Sequence, residues 1–251
     1  MNSFIDFTDK TFLVTGATSG IGLEICKQID NYNGNIVAIA RNQNKLNSLK
    51  NSLKNKDKFV GLLFDLENTE NLNEIFQKLT FSFDGIIHAA GIVKLLPIKF
   101  FKQEFQNQIR KVNYDSIVNI ISYLLKSKKI NSEASIVLIS SIAGNFGMKA
   151  NLLYSSTKAS LDIFAKVLAS EVSGLKIRVN TICPGQVETP LTNAISETIS
   201  KEALEIDRMK YPLGYGIPED VANLTLFLLS DKSRWITGIN IPIDGGRTSI
   251  L

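Results

Sequence analysis

Short apolar runs alternate along the chain with longer stretches in which apolar and charged residues recur at helical spacing. Six of the runs have the length and composition of buried strands: 11–15, 36–40, 59–63, 85–88, 135–139 and 177–182. Continuous apolar strands separated by amphipathic segments indicate crossover connections and a parallel sheet that is covered on both faces. No linker, repeat or low-complexity tract interrupts the pattern. We therefore predict one α/β domain over residues 1–251, with a doubly wound parallel sheet and helices on both faces.

The segment at about 190–216 departs from this alternation, because it contains amphipathic pieces but no apolar run of strand type. The sequence Tyr211-Pro212-Leu213-Gly214 then interrupts this segment. Ligands of open α/β sheets bind beyond the carboxyl ends of the strands. An irregular insertion after a late strand is therefore expected to be a lid over a substrate. The alternative is a packing excursion that touches no ligand.

Composition excludes several classes of function. No run of eighteen or more apolar residues is present, and the N-terminus lacks the regions of a signal peptide, so we expect a cytoplasmic protein without a membrane span. Cys26 and Cys183 lie far apart, and His88 is the only histidine, which argues against a metal site or a histidine-based triad. The net charge of +4 is spread along the chain without a basic stripe, so we expect no nucleic-acid partner.

The first apolar run leads into a glycine-rich turn, Thr15-Gly16-Ala17-Thr18-Ser19-Gly20-Ile21-Gly22, and then into an apparent helix. Glycines permit a tight turn and a close approach of phosphate to the backbone, while a helix N-terminus offers free N–H groups. The position between a strand and a helix favours dinucleotide binding over a simple turn. The residues expected to contact the cofactor here are Gly16, Thr18, Ser19, Gly20, Ile21 and Gly22.

Tyr154 and Lys158 stand four residues apart in Tyr154-Ser155-Ser156-Thr157-Lys158-Ala159, in a segment with helical character. Residues i and i+4 share a helix face, so the ammonium can lie beside the phenol. A free tyrosine has a pKa of about 10, and a nearby cation favours the phenolate. We therefore expect Lys158 to lower the pKa of Tyr154 toward the range of general acid–base catalysis. The pair alone would be weak support, since the spacing also occurs by chance on solvated helices.

The Gly-x-x-x-Gly-x-Gly spacing together with Tyr-x-x-x-Lys resembles the short-chain dehydrogenase/reductase family, and the likeness runs from about Lys10 to Arg247. The resemblance implies a Rossmann-like domain that interconverts a carbonyl and a secondary alcohol with a nicotinamide cofactor. Within the family, the chain is most similar to the 3-oxoacyl-acyl-carrier-protein reductases. In relatives the last strand and helix, here near 236–246 and 216–222, often form a subunit interface, which implies a homodimer or homotetramer.

The residue after the second strand bears on the choice of cofactor. Enzymes that select NAD place an acid there for the ribose 2′-hydroxyl, whereas an arginine accommodates the 2′-phosphate of NADP. Ala40 occupies the position of the acid and Arg41 follows it, which predicts NADP (NADPH). NAD stays open as the alternative, because Ser19 stands where many NADP-using relatives carry a basic residue. The resemblance implies further cofactor contacts at Asp65, Leu66, Ala89, Ala90, Gly91, Pro184, Gly185, Val187 and Thr189.

The resemblance also implies a set of catalytic residues. Tyr154 would donate a proton to the carbonyl oxygen, Lys158 would also bond the nicotinamide ribose, and Ser141, thirteen residues before the tyrosine, would orient the substrate oxygen. Asn113 would hold a water that connects Lys158 to solvent. His88 replaces the first asparagine of the family's Asn-Asn-Ala-Gly motif, and we interpret it as a structural residue that bonds neighbouring strands.

Three functions remain open from the sequence. The first is reduction of an acyl-carrier-linked carbonyl, although Ser132 and Leu175 stand where arginines that grip a carrier protein are expected, with Lys128, Lys129 and Lys176 nearby. The second is an NADP-dependent reductase of a small free ketone or sugar. The third is a nucleotide-binding regulatory protein without turnover, against which all four expected catalytic residues argue.

Overall fold

The computed structural model describes residues 4–196 and 200–249, without the side chains of residues 194–196 and 201. Within these residues, seven parallel strands form one sheet in the order β3-β2-β1-β4-β5-β6-β7. The strands are β1 (Thr11–Thr15), β2 (Asn35–Ala40), β3 (Phe59–Leu63), β4 (Phe83–His88), β5 (Ile130–Ile139), β6 (Arg178–Pro184) and β7 (Asn240–Ile243). Every predicted strand is present. Three strands extend beyond the apolar runs that predicted them. Strands β4 and β5 begin, and strand β6 ends, in residues that are not uniformly apolar.

Helices cover both faces of the sheet, as predicted. They are α1 (Gly20–Asn31), α2 (Gln43–Ser52), α3 (Leu72–Phe76), α4 (Gln103–Arg110), α5 (Ser116–Lys126), α6 (Leu152–Glu171), α7 (Pro190–Ser196), α8 (Lys201–Arg208) and α9 (Pro218–Leu229). Helices α3, α5 and α6 pack on one face, whereas α1, α2 and α9 pack on the other. No helix in the described ranges is long and apolar enough to cross a membrane.

The strands read as continuous apolar runs because successive residues enter two different cores. Leu13 packs in the core beneath α5 and α6, while its neighbours Phe12 and Val14 pack beneath α1 and α9. Ile86 and Ile87 of β4 divide between the two cores in the same way. Side chains alternate across a strand, so a sheet covered on both faces needs apolar residues at every position.

Strand order determines where a ligand can bind. The central strand β1 pairs with β2 on one side and with β4 on the other, so the chain changes direction of winding at β1. Strands β1, β4, β5 and β6 are consecutive in the sheet and all end at the same edge. The loops that follow these strands contain most of the predicted site residues. A crevice at this point is the usual ligand site of open α/β sheets.

Candidate active site

The glycine-rich turn forms a cradle of bare backbone. Gly16 has a φ of 66°, and a Cβ at this residue would stand 2.6 Å from the backbone nitrogen of Ala90. A Cβ on Gly22 would collide with the carbonyl group of Gly16. Ser19 is the N-cap of α1 but makes no side-chain cap bond, and the first turn of α1 carries no acidic residue. The positive end of the helix is therefore open to an anion, and the cradle fits the pyrophosphate of a dinucleotide.

The loop after β6 lies directly against this turn. A Cβ on Gly20 would lie 3.2 Å from Cγ2 of Thr189. The N–H of Thr189 donates to Oγ1 of Thr192 at 2.9 Å, and the two hydroxyl oxygens are 3.1 Å apart. The structure thus brings together the predicted phosphate turn, in which Thr18 and Ile21 are partly buried, and the predicted nicotinamide loop.

The rest of the β6 loop is held by the end of the sheet. Pro184 closes β6, and the N–H of Gly185 donates to the Ile243 carbonyl at 3.0 Å. A Cβ on Gly185 would stand 2.9 Å from the ring of Tyr211. Val187 is buried and forms a parallel bridge with Gly216. This pairing fixes the base of the 190–216 segment, whose role as a lid stays a prediction.

Arg41 and Asp65 follow the ends of β2 and β3, the two strands that lie beyond β1 in the sheet. Both side chains are exposed, and that of Arg41 forms no ion pair or hydrogen bond within the described part of the chain. Asp65 accepts a hydrogen bond from the N–H of Glu67 at 3.0 Å. The side chain of Leu66 is buried in the core beneath α3 and α5, and its cofactor contact stays a prediction. Only its backbone is left to face a ligand.

Ala89, Ala90 and Gly91 follow β4 and are tied to β1 through a buried chain of hydrogen bonds. The N–H of Ala90 donates to Oγ1 of Thr15 at 3.3 Å, and this hydroxyl lies 2.8 Å from Nδ1 of His88. Nε2 of His88 is 3.1 Å from the carbonyl oxygen of Asn113, so this nitrogen donates and Nδ1 accepts. Burial, aided by the Lys158 charge, lowers the pKa of His88 to about 3. The structural interpretation of His88 agrees with these contacts.

Asn113 lies in a π-helical turn, Lys111–Asp115, inserted between α4 and α5. Such turns occur often at functional sites because they displace one residue from the regular helix. The fully buried side chain accepts from the N–H of Ile92 at 2.8 Å and donates to the Ile92 carbonyl at 2.9 Å. It also donates to Oγ1 of Thr157 at 3.1 Å. Both amide hydrogens are thus committed to protein partners that join the β4 loop to α6.

Ser141 and Tyr154 are brought together at the ends of β5 and α6. Oγ of Ser141 accepts from the N–H of Ala143 at 3.1 Å and lies close enough to the Tyr154 phenol to affect its pKa. Ser140 points away from the phenol, and its buried hydroxyl donates to the Lys158 carbonyl at 3.0 Å. Burial raises the pKa of Tyr154 to about 12, although the nearby Ser141 hydroxyl acts to lower it. The expectation that Lys158 lowers this pKa is wrong for the described structure, because desolvation outweighs the other influences.

Lys158 is buried behind the tyrosine. Its Nζ donates to the Ile139 carbonyl at 2.7 Å and lies 5.4 Å from the centre of the Tyr154 ring. A Cβ on Gly91 would be 3.5 Å from this Nζ and 3.7 Å from Oδ1 of Asn113. Burial lowers the pKa of Lys158 to about 8. Four residues from three separate segments of the chain therefore lie close together: Asn113, Ser141, Tyr154 and Lys158.

Comparison with known proteins decides the family. A family model described as "Enoyl-(Acyl carrier protein) reductase" matches residues 16–248. The 3-oxoacyl-acyl-carrier-protein reductase of Rickettsia felis is 34% identical over 244 residues, covering 96% of this chain and 98% of the relative. The chain belongs to the short-chain dehydrogenase/reductase family. It is accordingly an oxidoreductase that acts on CH–OH groups and uses a nicotinamide cofactor.

Solved structures of short-chain dehydrogenase/reductases share the fold. A family member from Francisella tularensis is 30% identical, has a TM-score of 0.83, and the match covers 96% of this chain and 99% of that one. A 4-hydroxyisoleucine dehydrogenase mutant, whose structure was determined with NADH and succinate, is 28% identical with a TM-score of 0.86 and the same coverage. The Rossmann-like fold class predicted from the sequence is therefore confirmed.

Sequence reasoning missed two polar residues of this short-chain dehydrogenase/reductase site. Thr157 bonds the Asn113 amide, and Asp162 lies one helical turn beyond Lys158 with its carboxylate buried. The i+4 spacing of Lys158 and Asp162 was a visible signal, since it places an acid on the same helix face as the lysine. Burial of that face could not be seen in the sequence, because α6 has polar residues on both sides.

Proposed function

We propose that this protein is an NADPH-dependent reductase that converts the 3-oxoacyl group of an acyl-carrier protein to the 3-hydroxyacyl group. The proximity of the Ser141 hydroxyl to the Tyr154 phenol carries the proposal. Reduction of a carbonyl requires a proton donor at the oxygen, and a phenol with a pKa of about 12 stays protonated at neutral pH. The carbonyl oxygen would accept one hydrogen bond from Ser141 and the proton from Tyr154.

The remaining polar residues serve proton supply and orientation. Lys158 would hold the nicotinamide ribose through its ammonium and keep a positive charge near the phenolate that forms. Asn113 holds the β4 loop and α6 at a fixed distance through Ile92 and Thr157, and its water-holding role remains part of the proposal. Because Asn113, Ser141 and the Tyr154–Lys158 pair come from three separate elements, their spacing depends on the sheet and not on one flexible loop.

The cofactor would lie along the carboxyl edge of the sheet. When bound, NADPH supplies the hydride that reduces the substrate carbon. The exposed guanidinium of Arg41, which has no partner among the described residues, is suited to a 2′-phosphate, and Asp65 to the adenine amino group. NADH is the alternative, supported by the structurally similar 4-hydroxyisoleucine dehydrogenase mutant, whose structure contains NADH. The other residues that would hold the cofactor are those of the glycine-rich turn, the Ala89–Gly91 loop and the Pro184–Thr189 loop.

Exposed apolar side chains around the same edge favour an acyl substrate over a sugar. They follow three strands that end there: Leu95, Ile98, Phe100 and Phe101 after β4, Phe146 and Met148 after β5, and Leu191, Ile206, Met209 and Leu213 after β6. Large exposed apolar patches usually mark a binding surface. The last four belong to the 190–216 segment, which we propose as the substrate lid.

Carrier-protein docking through the nearby lysines has less support. Lys128, Lys129 and Lys176 precede β5 and β6, so they lie at the amino edge of the sheet, opposite the site. Lys176 is paired with Glu133 at 3.1 Å, and Lys129 donates to the Leu79 carbonyl. A carrier protein that reaches this site would have to be recognised at the carboxyl edge.

We also propose a homodimer or homotetramer in the cytoplasm. Ile163 and Val167 lie one turn apart on α6, and both are exposed, which suits a helix-to-helix contact between subunits. Both cysteines are free and buried, which is consistent with a reducing compartment. Sedimentation equilibrium tests the oligomer; a monomer at all concentrations would refute it.

The substrate is tested with acetoacetyl-carrier protein, free acetoacetate esters and a ketose, each with NADPH. We expect saturable turnover of the carrier-linked substrate at low concentration. Activity confined to the free ketones would instead support the small-molecule alternative. Crotonyl-carrier protein is the control for reduction of a carbon–carbon double bond, the enoyl reaction after which the matching family model is described. Tyr154→Phe should lower the rate by about 10²–10⁴-fold, whereas Tyr123→Phe, on α5 against Phe76, should not change it.

Cofactor choice is tested by isothermal titration with NADPH and with NADH. Arg41→Ala should weaken NADPH binding by about ten- to hundredfold, because it removes a charge-assisted hydrogen bond, and should leave NADH binding nearly unchanged. Lys50→Ala, a neutralised cation at the far end of α2, is the matched control. Equal losses for both nucleotides would refute the role of Arg41. Binding of neither nucleotide by the wild type would favour a non-catalytic role.

A further inference from the structure

Two loops form a rim beside the site, at the carboxyl edge of the sheet. Residues 92–102 lie between β4 and α4, and residues 145–150 lie between β5 and α6, the helix of Tyr154. The N–H of Leu96 donates to the carbonyl of Ala150 at 2.6 Å, which joins the two loops. The rim is thus one joined surface next to the residues that we propose to contact the substrate carbonyl.

The rim is positively charged. Its exposed cations are Lys94, Lys99, Lys102 and Lys149. Neither loop contains an aspartate or a glutamate, and the acid nearest to them along the chain is Glu104. Within the described residues, none of these lysines takes part in an ion pair. By contrast, Lys10, Lys176 and Lys232 at the amino edge lie 3.3, 3.1 and 3.7 Å from a carboxylate oxygen.

Three of the rim ammonium groups lie over aromatic rings. Nζ of Lys94 is 3.1 Å from the centre of the Phe105 ring, and Nζ of Lys102 is 5.5 Å from the same point. Nζ of Lys99 is 4.9 Å from the centre of the Phe100 ring. A ring attracts a cation through its quadrupole and leaves the charge in place. The rings therefore position these cations at the surface without neutralising them, so that an anion can still bind.

Exposed apolar side chains lie between the cations along the two loops. Leu95, Ile98 and Phe100 of the first loop, and Phe146 and Met148 of the second, are 39–66% exposed. Apolar groups among cations are complementary to a partner protein that carries carboxylates around an apolar contact surface. A small neutral ketone or sugar gives no electrostatic reason for such a set of cations.

An anionic membrane is the other large partner that bears a matching charge, and the local backbone disfavours it. Peripheral membrane binding usually relies on an amphipathic helix with a broad apolar face. Here Pro97 precedes a single 3₁₀ turn, Ile98–Phe100, and helix α4 after it is polar at 103, 104 and 106–108. The short loops of the rim therefore favour a protein partner.

We propose that the rim is the docking surface for an acyl-carrier protein with an anionic face, and that its lysines bind the anionic groups of that face. The inference rests on the proposed function insofar as the substrate there is linked to a carrier. Docking at the rim places the carrier on the same edge of the sheet as Tyr154. It also gives the carrier a cationic surface although Ser132 and Leu175, at the opposite edge, are uncharged.

Binding is measured first, without substrate or cofactor, by the fluorescence anisotropy of a labelled acyl-carrier protein titrated with the enzyme. The rim variant is Lys99→Glu/Lys149→Glu, with one residue from each loop. Lys99→Arg/Lys149→Arg keeps the charge. Lys50→Glu/Lys78→Glu is the matched control, because it makes the same change in net charge at two exposed lysines of the amino edge.

We expect the rim variant to bind the carrier at least about tenfold more weakly than the wild type, because two attractions become repulsions. The arginine variant and the amino-edge control should both stay within about threefold of the wild type, since distant exposed charges are screened. Equal weakening by the rim variant and the control overturns the proposal. So does a wild type that fails to bind the carrier, whether or not it binds phosphatidylglycerol vesicles, which test the membrane alternative.

Turnover separates this proposal from the proposed function. Reduction of acetoacetyl-carrier protein by NADPH is compared with reduction of acetoacetyl-N-acetylcysteamine, a thioester with the same reacting group and no carrier. The ratio of the first KM to the second should rise about tenfold in the rim variant. An unchanged ratio overturns docking at the rim and leaves the reductase intact. A wild type inactive on both substrates refutes the proposed function, and the binding titration still decides the docking.

Discussion

Replacement of Gly16 tests whether the close approach of the glycine-rich turn to β4 is a physical requirement. Gly16→Ala places a Cβ at 2.6 Å from Ala90 N and 2.7 Å from the Ala89 carbonyl carbon, where only backbone can yield. A left-handed alanine costs about 1–2 kcal/mol, and forcing a methyl group into packed structure costs about 1–3 kcal/mol more. The expected loss in the free energy of unfolding is therefore about 2–5 kcal/mol, measured by urea denaturation at fixed protein concentration.

Two other glycines separate the cost of the left-handed backbone from the cost of the steric clash. Gly214 has a φ of 76° and nothing within 4 Å of a Cβ, so Gly214→Ala should cost only the left-handed strain of about 1–2 kcal/mol. Gly174 has an equally open site without a positive φ, so Gly174→Ala should be neutral or stabilising by up to about 1 kcal/mol. Gly16→Ala should also weaken NADPH binding more than tenfold (about 1.4 kcal/mol). Equal destabilisation by Gly16→Ala and Gly214→Ala would refute the reasoning.

Three further predictions concern the buried polar groups of the site. The folded-state pKa of His88, about 3, lies below its ordinary value of 6.5, so the unfolded chain binds more protons between these limits and stability falls as pH is lowered from 6.5. Urea titrations of the wild type at a series of pH values should show that the free energy of unfolding falls by up to about 1.4 kcal/mol per pH unit because of this group. This dependence on pH should be weaker in His88→Gln. Identical slopes for the two proteins would contradict the assignment. Asn113→Ala should cost about 2–4 kcal/mol because it leaves buried partners unpaired; a loss below about 1 kcal/mol would show that the amide is dispensable. Burial raises the pKa of Cys183 to about 11, so iodoacetamide at pH 8 should modify Cys183 only after unfolding, and rapid labelling of the native protein would contradict this.

The sequence alone was enough to predict the parallel sheet, because the apolar runs that form its strands are a local feature of the sequence. Continuous apolar runs such as 11–15 can be buried only between two layers of helices, which implies parallel strands and crossovers. The glycine spacing likewise predicted a tight turn, and the Tyr154–Lys158 spacing predicted two side chains on one helix face. Both features depend only on residues that are neighbours in sequence. These predictions needed no knowledge of distant contacts.

Only the tertiary structure decided the electrostatics of the site. The pKa of Tyr154 depends on how much water the folded chain removes, and that desolvation overrode the lowering expected from Lys158. The burial of the Leu66 and Asp162 side chains and the π-helical turn at Asn113 depend in the same way on packing between elements distant in sequence. Spacing along one helix shows which charges can meet, but burial determines whether they meet in water or in a dry core, and this sets their strength.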